Sequence, residues 1–188
     1  MIYDEIKKEI KISKSLNELD KFVLDFAGLL KGYVIVSGYV SILLGRTRAT
    51  EDVDLLVPEF GMGEFNEFWE ESIKNGFWCI NTPNPKEAHT MLKEHAIRFC
   101  RKNQPVPNIE FKMIKNELDR FSYENRLKVL IDNSVFYISP IELQIAYKLF
   151  LGSDKDIEDA RHLYKLFREK INKLELTHSL EKLNVKNK

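Results

Sequence analysis

Cysteine is scarce: Cys79 and Cys100 are the only two in 188 residues, and alone they supply neither a disulfide framework nor a thiolate zinc site. Net charge is also absent, since 29 Lys and Arg balance 29 Asp and Glu. A general polyanion binder usually shows a basic surplus, so composition argues against a nucleic-acid-coating role, and no DNA partner is expected. Long hydrophobic runs are missing too. The most apolar segment, Tyr33 to Gly45, is interrupted by Ser37, Gly38 and Ser41 and is too short to cross about 30 Å of hydrocarbon. The first residues, Met1-Ile-Tyr-Asp-Glu-Ile-Lys-Lys, put charges where an export signal needs an apolar stretch, so a cytoplasmic location with reduced thiols is expected. Only eight glycines and six prolines punctuate the chain, with no repeat or low-complexity tract, and no linker separates independent units.

What is present is the make-up of a folded protein: 44% hydrophobic and 31% charged residues, in a length that fits one domain. Leu16, Leu19, Phe22, Val23, Phe26, Leu29 and Leu30 recur at helical spacing behind a Ser15/Glu18 capping-box pair, and Gly32 supplies a stop. Tyr33-Val-Ile-Val then reads as a strand, Ser37-Gly38 as a tight turn, and Tyr39 to Leu44 as a helix ended by Gly45. Thr50 to Val57 alternates as a strand, and Gly63 to Asn75 sets Phe65, Phe68, Trp69 and Ile73 on one helical face. Ala96 to Cys100 and Asn108 to Ile114 read as further strands. Leu127 to Ile131 and Val135 to Ile138 form a hairpin through Asp132-Asn133-Ser134. From Ser139-Pro140-Ile141-Glu142 onward the period is helical, with Ser139 and Ser153 as expected caps and a Lys-rich end. The expected fold class is α/β (α+β), a mixed sheet flanked by helices over residues 1–138, followed by a helical region, 139–188, packed on it.

The chemistry concentrates near Asp52-Val-Asp54. Strand alternation places both carboxylates on one face and Val53, Leu55 and Val57 on the other. Such a pair is costly unless solvated or neutralised, and Mg²⁺ takes oxygen ligands of this kind together with substrate phosphates. The Ser37-Gly38 turn opens a helix and offers backbone N–H groups to a phosphate. Glu110, flanked by Ile109 and Phe111, would be a third acid at the site if its strand neighbours Asp52 to Val57. Arg48 and Thr50 share the aspartates' face if that strand reaches so far. Lys148 lies at the edge of its helix's apolar face, where it either snorkels or reaches a phosphate. Asp156 and Asp159 suit a helix N-terminus, and the four histidines show no ligand spacing. Every charge from Glu51 to Glu71 is acidic, eight in all, which reads as a solvated face beside a cation site. Lys165 to Lys188 holds seven basic against three acidic residues and, with Arg98, Arg101, Lys102, Lys112 and Lys115, either frames an acidic acceptor or is ordinary surface lysine.

Ser37-Gly38, then Arg48-x-Thr50-x-Asp52-x-Asp54, then a strand carrying Glu110, resembles the nucleotidyltransferase superfamily, whose minimal fold is polymerase-beta-like. Ile138-Ser-Pro-Ile-Glu-Leu-Gln-Ile-Ala-Tyr-Lys148, followed by Asp154-Lys-Asp-Ile-Glu-Asp159-Ala-Arg161, is similar to the helical part of the branch that includes the abortive-infection type IV toxins. The likeness spans roughly Gly32 to Phe167, with a poorly matched middle from Phe60 to Gln104, and Ser37 and Tyr39 depart from the family's turn. It implies transfer of a nucleoside monophosphate from an NTP such as ATP to a hydroxyl of RNA, protein or a small molecule. Asp52, Asp54 and Glu110 would be the catalytic and metal-binding residues for one or two Mg²⁺. Ser37, Gly38, Arg48, Thr50 and Lys148 would hold the nucleotide, and an antitoxin is an implied partner. The alternative is a degenerate module of the same fold that binds nucleotide, RNA or a partner protein without catalysis.

Overall fold

A computed structural model of the protein describes residues 1–185. Among these residues nine strands form one mixed sheet and eight helices flank it, the α/β architecture expected from the periodicities. At the centre lie β3 (Val34–Val36), β4 (Asp52–Val57) and β7 (Gln104–Met113). β4 runs antiparallel to β3, with Val36 opposite Asp54, and parallel to β7, with Asp54 opposite Glu110. Beyond β7 come β6 (Ile97–Arg101) and β5 (Phe77–Cys79), both antiparallel. Beyond β3 come β9 (Ser134–Ile138), β8 (Leu127–Ile131), β2 (Glu9–Ile12) and β1 (Ile2–Asp4). The sequence did not announce β1, β2 or β5, because three or four residues are too few to establish an alternation. The expected β8–β9 hairpin forms, but its turn is only Asp132-Asn133, with Ser134 already paired in β9 and Asp132 in the left-handed region at φ 51°.

Alternation along β4 decides which face is dry. Val53, Leu55 and Val57 are fully buried on the side covered by α1 (Glu18–Ala27) and α3 (Met62–Lys74). Phe26, Phe68, Phe99 and Phe111 meet there in edge-to-face, tilted and stacked pairs, Phe68 lying parallel to Phe111 with centroids 5.1 Å apart. On α3 the buried stripe is Phe65, Phe68, Trp69 and Ser72, spaced i, i+3, i+4, i+7, which leaves Ile73, expected on this face, at its exposed margin.

Two helix starts differ from expectation. α1 is capped by Asn17 and Asp20, whose side chains bond each other's backbone N–H at 2.8 and 3.0 Å, so the capping box sits two residues beyond Ser15/Glu18. It also ends at Ala27, ahead of Leu29 and Leu30. α6 (Ile141–Leu151) starts with Pro140 in the capping position, and the Ser139 hydroxyl accepts from Gln144 Nε2 at 2.5 Å without capping. Ser153 does cap α7 (Asp154–Phe167), accepting from Asp156 N. α2 (Gly38–Leu43) follows the turn, while α4 (Pro85–Glu94) and α5 (Glu117–Glu124) were not foreseen. α6 packs against α7 and α8 (Lys173–Lys182). Among the described residues no helix is long and apolar enough to cross a membrane. Lys186 and Lys188 of the basic end lie outside the described residues.

Candidate active-site cleft

On the sheet face opposite the aromatic core, the side chains of Asp52 and Asp54 project from β4 and those of Glu110 and Lys112 from β7, all partly buried. The parallel register sets Asp52 beside Asn108, Asp54 beside Glu110 and Leu56 beside Lys112. An open cleft of about 210 Å³ lies over this face, lined among others by Ser37, Asp54, Lys112, Asn116, Gln144 and Tyr147. Of the three acids only Asp54 lines this cleft, and the larger surface grooves elsewhere carry none of them.

The acids are not bare. Lys112 Nζ stands 2.6 Å from Asp54 Oδ1 and 3.2 Å from Glu110 Oε1, and Arg98 Nη2 approaches Glu110 Oε2 at 3.9 Å. Burial by itself would lower the ammonium's pKa, but the adjoining Asp54 and Glu110 outweigh it and hold Lys112 above the usual lysine range. Thr50 donates its hydroxyl to the Asp52 carbonyl at 2.9 Å and lies 3.3 Å from its carboxylate, so it braces the start of β4. Thr50 itself borders a different groove from the one that holds Asp54.

The turn before α2 shows why its residues matter. Ser37 has φ 62° and ψ −136°, a conformation natural to glycine and strained for serine. A Cβ on Gly38 would overlap Nη2 of Arg48, whose guanidinium lies directly over the turn. Tyr39 points the other way: its hydroxyl donates to the buried Asp20 at 2.6 Å, and burial together with that bond holds the phenol well above its usual pKa. Asp20 also receives Lys14 at 3.0 Å. The bulk of Tyr39 therefore anchors α2 to α1 and leaves the cleft clear.

Arg48 does not stand free. Its Nε and Nη2 bond the two carboxylate oxygens of Asp159 at 3.2 and 3.0 Å, a bidentate clasp. Arg46 Nε also meets Asp159 at 2.7 Å, a close ion pair without hydrogen-bond alignment. Lys148 is almost fully buried, with Nζ 2.7 Å from Asp156 and 3.3 Å from Asp159. Asp156 also accepts from the Ser153 hydroxyl. Burial alone would raise the Asp156 pKa, but the bonds from Lys148 and Ser153 prevail and hold it below the usual carboxylate range. The structure thus joins Ser37 and Asp54 at one cleft and Asp54 to Glu110 in one register. It places Lys148 in a separate charge cluster that reaches the turn only through Asp159 and Arg48.

Three features escaped the sequence reading. Lys112, taken with Arg98 and Arg101 as part of a basic frame, neutralises Asp54 and Glu110; its signal was the Glu110-x-Lys112 alternation on a strand. Arg101 pairs with Asp25 at 2.5 Å and Arg98 approaches Glu110 at 3.9 Å, so these members of the frame face local carboxylates. Gln144 is buried beside the cleft with its Oε1 unpartnered, which only packing could reveal. Among the described residues no three of His, Cys, Asp and Glu converge as a preformed metal site. The donor set still suits a hard divalent cation, since Asp52, Asp54 and Glu110 present oxygens on one face of adjacent strands.

No protein-family model matches the chain, and no curated protein matches it significantly. Among solved structures it is similar to an antigenic nucleotidyltransferase-like protein from Paracoccidioides brasiliensis, at 18% identity and a TM-score of 0.48, covering 80% of this chain and 78% of that one. It is also similar to JHP933 from Helicobacter pylori, at 19% identity and a TM-score of 0.47, covering 89% and 75%.

Proposed function

We propose that the chain is a nucleotidyltransferase-type enzyme that moves a nucleoside monophosphate from an NTP to a hydroxyl acceptor and releases pyrophosphate. The observation that carries this reading is the β4–β7 register, which sets Asp54 beside Glu110 on a polar face at a cleft bordered by the Ser37 turn. Asp52, Asp54 and Glu110 would hold Mg²⁺, one ion or two, which when bound neutralises the phosphates and favours departure of pyrophosphate. Glu110 would take the proton of the acceptor hydroxyl as its oxygen bonds the α-phosphorus and the bond to pyrophosphate breaks. The turn's backbone and Arg48, clasped over it by Asp159, would face the triphosphate. Lys148 serves the nucleotide at one remove, by neutralising the buried Asp156 and Asp159 so that Asp159 can keep hold of Arg48. Positioning and charge stabilisation then supply most of the rate. If the resemblance of Ile138 to Arg161 to the toxin branch holds, the chain would be the toxin half of a toxin–antitoxin pair.

A second reading, a module of this fold that binds without transferring, is favoured by the ammonium of Lys112 between two of the three acids and by serine at a glycine-like turn position. Calorimetric titration of the four NTPs with and without Mg²⁺ separates the two. For the enzyme, Mg²⁺-dependent binding is expected in the wild type and its loss in Asp54→Asn, together with loss of labelled-NMP transfer. Metal-independent binding that survives Asp54→Asn favours the module, and no binding of any NTP overturns the enzyme reading.

A further inference from the structure

Lys112 sits two residues beyond Glu110, so strand alternation brings it to the same face, and the register brings it alongside the β4 carboxylate as well. Its Nζ bridges the two acids, 2.6 Å from Asp54 Oδ1 and 3.2 Å from Glu110 Oε1. Two carboxylates at this spacing repel each other, and one cation between them removes that cost. Lys112 uses one oxygen of each acid, but a divalent ion held between Asp54 and Glu110 would lie where the ammonium now lies and would repel it, so the two cations cannot occupy that position together. The lysine can withdraw. A third of its side chain is exposed, its stem is flexible and it borders the open cleft. Of the other charged groups, Arg98 reaches only the outer oxygen of Glu110, at 3.9 Å, and leaves Asp54 to Lys112.

Resting on the reading of Asp52, Asp54 and Glu110 as the metal-binding set, we propose that Lys112 is an internal counter-ion, which occupies the Asp54–Glu110 position in the resting protein and is displaced when a divalent cation binds. Lys112 is then a positioning residue that sets how tightly the site takes metal. It keeps the acids aligned in the absence of metal and makes occupancy by free cation unfavourable.

The test is direct binding of Mn²⁺ alone, followed by the electron paramagnetic resonance signal of the free ion, in the absence of nucleotide. Lys112→Met should bind Mn²⁺ at least about tenfold more tightly than the wild type, the scale expected when one partly buried like charge leaves a cation site. Lys112→Arg should stay close to wild type, and the double variant Asp54→Asn/Lys112→Met should lose the gain. Lys112→Gln, polar and of similar reach, provides the same reading if the methionine variant unfolds, with circular dichroism checking the fold of each. Equal Mn²⁺ affinity in wild type and both neutral variants overturns the proposal, even if the wild type binds NTP with Mg²⁺. A gain that depends on Asp54 supports it even if no NTP binds, and in that case the nucleotidyltransferase reading alone fails.

Discussion

The molecule holds two charge clusters of similar make-up and opposite character. On the strands, Asp54, Glu110 and Lys112 lie 16–33% exposed, and the one ammonium of Lys112 bridges the two acids. At the helices, Asp159 and Lys148 are at most 3% exposed, and Asp159 is held by Lys148 together with Arg46 and Arg48 of the loop after α2, which are 20% and 19% exposed. Charges in the first cluster can exchange partners with solvent or ligand. In the second, Asp159 and Lys148 cannot part without stranding an ion in a low-dielectric interior. Sequence type alone does not distinguish them; the depth of the Asp159–Lys148 pair does.

Asp159→Asn should therefore be the most damaging single change, leaving three cations short of their shared carboxylate. A loss of about 3–5 kcal/mol is expected in urea unfolding. Asp54→Asn at the partly buried strand cluster should cost about 1 kcal/mol in the same assay while abolishing the proposed transfer, and equal losses at the two sites would erase the contrast. Acid sharpens it further. Because its folded pKa lies below the unfolded value, Asp156 contributes stability that is complete above about pH 4 and is lost as pH falls through the folded value. The stability gap between wild type and Asp156→Asn should thus be constant at neutral pH and close in acid. The smallest effect belongs to the turn: Ser37→Gly should stabilise by no more than about 1 kcal/mol in thermal unfolding, since glycine accepts φ 62° without strain.

Much of this plan was legible in the chain. The alternation of Asp52 to Val57 gave both the dry face and the acidic face. Ser37-Gly38 marked the turn, and the β-run around Glu110 proved to be the strand that pairs with β4. Lys112 was misjudged because strand neighbours across a register are invisible until the register is known. Lys148 followed the same logic at the helix. Its position at the edge of an apolar stripe fits both snorkelling and burial, and only the arrival of Asp156 and Asp159 from α7 makes burial affordable. The capping box shifted from Ser15 to Asn17 because Asp20, needed by Tyr39 and Lys14 in the interior, fixes where the helix begins.

The ends of the sheet carry a further consequence. A nine-stranded sheet ordinarily exposes two long rows of unpaired amides, an invitation to edge-to-edge addition. Here the outermost strands, β1 and β5, are three residues each, so a foreign strand would find only a few rungs of backbone at either rim. The broad central platform that carries the acids is thus bordered on both sides by strands too short to template a long added strand.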